Sequence, residues 1–322
     1  MMTQAEPYKR DAPSVTVFLF AYNQSAYVRT ACESVLAQDY SPLQIVFSDD
    51  CSTDDTFEIM SEIASNYQGI HQIRLNRNPQ NLGLIRHVNL SHQLTTTDLL
   101  VAAAGDDISE PNRVTEIVKA YRCAANQPTS IHSAVYEMSA DGVVGDMARP
   151  PINNLKTIQQ HALSSALIIG ATHAWHRDVF DQFGEITELD AFEDLVLAYR
   201  SSLMNGLCYI DQPLVKYRLG VGISESGSRE ATVTPDLQQK RFLREAKIMI
   251  PVLKQRILDS KKNNVKAADV QDIKKLLYQY EVKKELVNQS TSLYILARNS
   301  LHQSFFLIFL KIILRKLRKG IP

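Results

Sequence analysis

What this 322-residue chain lacks narrows its class before any motif is read. Its four cysteines (Cys32, Cys51, Cys123, Cys208) stand alone with no C-x-x-C spacing. That excludes a zinc ribbon and a disulfide-stapled scaffold, and it fits a reducing compartment. No run of about 18 apolar residues is present, so no simple helix is expected to span a membrane. The opening MMTQAEPYKRDAPS lacks the apolar stretch of a signal peptide, which sets the expectation of a cytosolic body. G-x-G-x-x-G, G-K-[ST] and G-x-S-x-G are all missing, against dehydrogenase, P-loop NTPase and α/β-hydrolase readings. Net charge is absent too, with 35 basic residues balancing 35 acidic ones, so a nucleic-acid partner is not indicated. Acid is missing locally as well. None follows Glu285, while Arg298, Lys311, Arg315, Lys316, Arg318 and Lys319 add six positive charges, leaving residues 1–285 at a formal −6.

What is present alternates. Residues 15–21 (VTVFLFA) form a continuous apolar, β-rich run that suits a strand buried on both faces. A helix is expected from 23–25 to about 38, with Val28, Ala31, Cys32, Val35 and Leu36 on one face. Further strands are expected at 43–47, 71–75 and 99–103, with helices at 54–66, 84–94 and after Pro111. Such alternation implies crossovers and a mostly parallel sheet. From about 131 the pattern changes to a hairpin turning at Asp141-Gly142 and a Gly/Pro/Asn-rich loop to about 154. A helix at 191–205, short strands at 207–210 and 214–217, and two charged amphipathic helices over 237–290 complete the reading.

Three acidic clusters fall where the carboxyl ends of strands or the start of a helix are expected: Asp49-Asp50, Asp106-Asp107 and Glu193-Asp194. In an open parallel sheet, ligands bind at such ends. Carboxylates gathered in one pocket repel each other unless a cation or a proton compensates, and a hard divalent metal is the natural compensator beside a phosphate. The same residue types also serve as helix caps and turns, so any one pair alone reads first as structure.

Order and context decide more than any pair. Residues 17–56, 76–91 (NRNPQNLGLIRHVNLS), 99–114 (LLVAAAGDDISEPNRV), 170–184 (GATHAWHRDVFDQFG) and 192–224 resemble, in sequence order, the blocks of family 2 glycosyltransferases of inverting type. The resemblance covers about residues 14–226. It implies a GT-A fold: Rossmann-like α/β, with flanking helices and here a C-terminal helical extension. It implies a UDP- or dTDP-sugar donor, a Mn²⁺ or Mg²⁺ ion, and a saccharide or lipid-linked saccharide acceptor in the assembly of a bacterial surface polysaccharide.

Residue by residue, the resemblance assigns Asp49 to the pyrimidine base, whose N3–H is present in uracil and thymine and absent from cytosine. Phe20, Ala21 and Tyr22 would line the base pocket. Arg86 would lie near the base or diphosphate, or else stand as a plain solvated helix residue. Asp106 would face the ribose, Asp107 the metal, and Asp194 would be the catalytic base with Glu193 orienting the acceptor. One departure stands out: where relatives carry a His after the Tyr217-Arg218 pair, this chain has Gly220. Arg218 is a candidate to supply the missing charge, and the glycines of 220–222 read as a flexible lid or as a plain surface loop. His173 and His176 are expected to line the pocket or pack, and Trp175 either stacks on an acceptor sugar or belongs to the core.

The expected layout is a tail over 1–13, a glycosyltransferase domain over 14–230, a helical extension over 231–300, and a basic amphipathic helix over 301–322. Its FFLIFLKIILRKLRK run places apolar residues on one side and cations on the other, as at a membrane interface or in a helix docked on the protein's own body or on a dimer partner. A protein peripheral on the cytoplasmic face of the membrane is expected, with a homo-oligomer compatible. Two other readings fit the residues: a catalytically silent nucleotide-sugar binder, and a sugar-phosphate nucleotidyltransferase.

Overall fold

The computed structural model describes residues 12–124, 127–166, 168–204, 206–221 and 235–289. In its first half every apolar run becomes a strand and every 3.6-residue stripe a helix. The order is β1 (Val15–Ala21), α1 (Val28–Leu36), β2 (Gln44–Asp49), α2 (Thr56–Asn66), β3 (Gln72–Arg77), α3 (Leu84–Leu94), β4 (Leu99–Ala104), the two-residue β5 (Ile108–Ser109) and α4 (Arg113–Cys123). There follow β6 (Ser130–Met138), β7 (Val144–Ala148), α5 (Ile158–Leu163), β8 (Ala174–His176), α6 (Asp178–Phe183), α7 (Glu193–Ser202), β9 (Leu207–Arg218), α8 (Pro235–Lys262) and α9 (Ala267–Gln289).

The strands join one sheet in the order β3-β2-β1-β4-β8-β6-β9-β5, with β7 added on β6. It is a mixed sheet. The strands β3-β2-β1-β4 are parallel, as the alternation requires. Beyond β4 the pairs β4–β8, β8–β6, β6–β7 and β5–β9 are antiparallel, and β6–β9 is parallel. The expected hairpin at Asp141-Gly142 is present as β6–β7, with Gly142 at φ +92° in the turn. The two short strands expected at 207–210 and 214–217 are one strand. Its pairing with β6 shifts between Ser133 and Val135, so a bulge around Pro213 carries the chain past a residue that has no N–H to give the ladder.

Both faces of the sheet are covered, which is why β1 and β4 read as unbroken apolar runs. Val17 and Leu19 of β1 and Val101 of β4 pack with Val28, Cys32, Met60, Val114 and Ile117 from α1, α2 and α4. The alternate residues Phe18, Leu100 and Ala102 pack with Ile85, Val88, Phe180, Leu195, Val252 and Ile273 from α3, α6, α7, α8 and α9. Helix α7 is enclosed almost all round, from Asp194 to Ser201. The buried, bidentate pair of Arg200 and Asp259 (2.9 and 3.1 Å) fastens it to α8. Among the described residues no helix is long and apolar enough to cross a membrane. The basic segment 301–322 and the glycine at 222 lie outside the described residues.

Candidate active site

Strand order reverses at β1, whose neighbours are β2 on one side and β4 on the other. Crossovers leave β1 in opposite directions there, and the loops at the carboxyl ends part to form a crevice. A cavity of about 800 Å³ opens at that point, within the size range of small-ligand sites. Its walls include Phe20, Ala21 and Tyr22 after β1, Asp50 after β2, His87 of α3, Ala102–Ala104 with Asp106 and Asp107 after β4, the 168–171 turn, and Glu193-Asp194 at the start of α7. Small side chains at Ala102, Ala103 and Ala104 leave the floor open. A Cβ at Gly105 would stand 2.5 Å from Gln24 Oε1 and 3.0 Å from Ala21 Cβ, so a side chain there would displace the Gln24 amide.

Asp106 and Asp107 are both buried. Burial raises the Asp106 carboxyl above its usual range, against the pull of Arg218. Burial, and then the neighbouring Asp106 charge, push Asp107 well above it. Asp107 Oδ1 accepts from the Arg218 backbone N–H at 2.7 Å. The Arg218 guanidinium donates to the carbonyls of Asp106, Ser139 and Ala140 and stacks 4.5 Å over the Tyr27 ring. Its charge therefore stays beside Asp106 while its hydrogen bonds go to the loop. Gly220 adopts φ +78°, a left-handed conformation that disfavours any side chain at the position where the family resemblance expects a His.

Buried, mutually repelling oxygen donors are what a hard divalent cation compensates. Asp106 and Asp107 fit as its protein ligands if phosphate and water complete the shell. Among the described residues no group of three or more His, Cys, Asp or Glu side chains is arranged to hold an ion by itself.

The second pair sits in the first turn of α7, where the helix dipole favours acids. Asp194 is 5% exposed, and burial, then Glu193, push its carboxyl well above the usual range. Its Oδ1 accepts from the Leu195 backbone N–H at 2.7 Å. Burial likewise raises Glu193, whose Oε2 is buried without a hydrogen-bond partner among the described residues. Gly170 makes room for that carboxylate: a Cβ there would stand 2.7 Å from Glu193 Oε1.

Two of the expected residues lie outside the cavity lining. Asp49 is fully buried and turned away from the cavity lining. It accepts from the Ser52 N–H at 3.0 Å and from the Ser52 hydroxyl, and pairs with Arg77 at 3.5 Å. Ser52 Oγ in turn accepts from the Asn23 N–H at 2.9 Å, so Asp49 shapes the loop after β1. The carboxylate at the cavity is its neighbour Asp50, which accepts from Asn78 Nδ2, Leu82 N and Gly83 N at 2.7–2.9 Å. Arg86 is exposed on α3 and outside the lining. The residue after it, His87, faces inward, 2.6 Å from Ser48 Oγ, and burial lowers it to about 4, so it is neutral. His87 is buried along α3 together with Ile85, Val88, Asn89 and Ser91. His173 is buried, hydrogen-bonded to Ser130 and neutral, lowered by burial to about 3. Trp175 is 2% exposed and packs in the core against His173 and Phe180.

The sequence profile of the family described as Glycosyl transferase family 2 matches residues 16–182. The Bacillus subtilis protein EpsE is 35% identical over 104 residues, which are 32% of this chain and 36% of that relative. Two solved structures share the architecture. Staphylococcus aureus TarS 1-349 in complex with UDP-GlcNAc superimposes with a TM-score of 0.54 at 15% identity, over 96% of this chain and 92% of that one. The mannosyltransferase PcManGT from Pyrobaculum calidifontis, in complex with GDP-Man and Mn²⁺, also gives 0.54, at 16% identity over 94% and 86%. At such identities the likeness speaks for the fold, and that fold is GT-A.

Proposed function

The chain belongs to glycosyl transferase family 2, and from that membership we propose that it moves a sugar from a nucleoside-diphosphate donor to an acceptor hydroxyl with inversion of configuration. One observation carries the reading: two carboxylate pairs, brought from opposite halves of the chain, line a single cavity at the sheet's switch point, with Asp106, Asp107 and Asp194 buried and Glu193 half-buried. Tyr22, Phe20 and Ala21 form the wall for the base. Asp50 offers an acceptor for a base N–H, which uracil and thymine carry at N3; a UDP- or dTDP-sugar is the donor of choice.

Asp106 and Asp107 stand where the diphosphate would lie. A Mn²⁺ or Mg²⁺ bound to them would supply positive charge for the departing diphosphate. Asp194 takes the proton from the acceptor hydroxyl, whose oxygen bonds to the anomeric carbon as the bond from that carbon to the diphosphate oxygen breaks and its electron pair leaves with the nucleotide. A carboxyl whose proton affinity is raised by burial is a stronger base than one in water, the direction such catalysis needs. Glu193 orients the acceptor. The acceptor itself we take to be a saccharide or lipid-linked saccharide in surface-polysaccharide assembly, with 301–322 holding the protein peripherally at the cytoplasmic face of the membrane.

Calorimetric titration of UDP, dTDP and GDP, with and without Mn²⁺, tests the donor half. The expected result is UDP or dTDP binding that Mn²⁺ strengthens in the wild type, with that gain weakened in Asp107→Ala. Absence of nucleotide binding in the presence of the metal overturns the reading. Release of pyrophosphate during turnover would replace it with nucleotidyl transfer.

A further inference from the structure

Three arginines, Arg113, Arg200 and Arg256, are 2% exposed or less, and their partners differ. Arg200 is neutralised by Asp259. Arg256, also on α8, is held by neutral groups: Nη1 donates to the carbonyls of Ala162 (3.1 Å) and Ser164 (2.9 Å), and Nη2 to that of Leu195 (3.1 Å). Its Nε is buried without a hydrogen-bond partner among the described residues, and its Cζ lies 5.6 Å from the Tyr199 ring centre. A buried cation whose hydrogen bonds, among the described residues, all go to carbonyls keeps more of its field than one paired directly with a carboxylate.

Leu195, whose carbonyl Arg256 grips, is also the residue whose N–H binds the Asp194 carboxylate. The same residue is held from one side by Asp194 and from the other by α8. We propose that Arg256, supplied by the C-terminal helices beyond the segment that matches the family, is a positioning residue for Asp194. It fixes the first turn of α7 through the Leu195 carbonyl and turns a positive charge toward the acidic pair.

The charged and titratable groups around the pair support this assignment. Glu193, on the same helix, raises the proton affinity of Asp194, and Arg256 lowers it. From α5, His161 is lowered by burial and by Arg256. His173, which is neutral, and Asp106 and Asp107 line the same cavity. Tyr199 lies beside the guanidinium, while Arg200 and Asp259 cancel each other. Burial lowers Arg256 to about 10, so it remains a cation at neutral pH.

The inference rests on Asp194 being the base, but it is tested without turnover. Full-length protein labelled with ¹³C at the Asp carboxyl carbons is titrated by NMR, with the Asp194 signal assigned by its loss in Asp194→Asn. In Arg256→Gln the Asp194 carboxyl is expected to titrate about one pH unit or more above the wild type, as the loss of a close opposite charge requires. Arg256→Lys, which keeps charge without the fork, is expected to titrate with the wild type. A Gln variant that titrates with the wild type overturns the proposal. So does a Lys variant shifted by a full unit, and that arm stands if the Gln variant does not fold. Transfer activity surviving in Asp194→Asn would overturn the base assignment alone and leave the titration result standing.

Discussion

Asp106–Asp107 and Glu193–Asp194 face the same cavity, yet the chain holds them differently. The first pair follows a strand and is tied across the fold. Asp107 accepts from the Arg218 backbone 111 residues away, and Arg113 lies buried beneath, donating to Ser109, Ala102 and Ala171. The second pair opens a helix and is tied only locally, with Asp194 on its own neighbour and Glu193 Oε2 on nothing among the described residues. A carboxylate anchored in a web of donors is suited to holding charge in place. One with acceptor capacity left over is suited to exchanging a proton. On the reading proposed above, the first pair serves donor affinity and the second the chemical step.

The sharpest way to break this comparison is Asp194→Asn. Turnover should fall by about 10²–10⁴-fold, the range for losing general base assistance, with UDP or dTDP affinity unchanged by calorimetry. A loss of nucleotide affinity instead would erase the distinction between the pairs. The same variant carries a sign in stability. Burial raises the folded-state pKa of Asp194 above its unfolded value near 4, so the folded state binds more protons between those values and stability falls as pH rises through them. Asp194→Asn is therefore expected to melt higher than the wild type at pH 8, with the gain vanishing below about pH 4. A lower melting temperature at pH 8 would contradict that sign.

Asp107→Ala sharpens the other side. Nucleotide affinity in Mn²⁺ should drop by about 10–100-fold, since even supporting groups around metal ligands cost that much when removed. Affinity measured without metal should change little. Smaller still is the effect of Gly170→Ala, about tenfold, which acts on position alone. The added methyl would meet the far end of the Glu193 side chain, so the carboxylate swings aside while the fold is kept. Displacement of about 1 Å at a reacting group costs up to about 10²-fold. The loss should appear in turnover, with melting temperature and nucleotide affinity unchanged; a lowered melting temperature would show that Gly170 serves the backbone instead.

The first half of the fold is legible in the sequence because its elements announce themselves locally. Val15–Ala21 and Leu99–Ala104 are buried on both faces and so carry unbroken apolar runs, while Val28, Ala31, Cys32 and Val35 recur at helical spacing. The second half is less so. Helices α5 and α6 have six residues each, too short to display a period, and β8 has three. β9 conceals its continuity behind Pro213 and a bulge. At the site, the clusters Asp106-Asp107 and Glu193-Asp194 were readable as acids in company. The roles of Gly170, Arg113 and Arg256 were not, because each depends on a partner dozens of residues distant in sequence.

Asp49 and Asp50 show the limit at its finest. Adjacent residues at a strand end point opposite ways, so identical side chains in one dipeptide take different roles and no composition distinguishes them. Geometry does. Asp49 is enclosed by Ser52 and Arg77, and Asp50 lines the cavity. Asp49→Asn replaces an acceptor by an amide facing donors it cannot satisfy, and should cost about 1–3 kcal/mol of stability, read by urea unfolding. Its nucleotide affinity should stay within about twofold, since one shell of side chains separates it from the cavity. Asp50→Asn should instead weaken UDP or dTDP binding by about fivefold, the worth of roughly 1 kcal/mol for one hydrogen bond. If the two variants exchange these effects, the base lies against the first aspartate after all, and the loop after β1 would have to open to admit it.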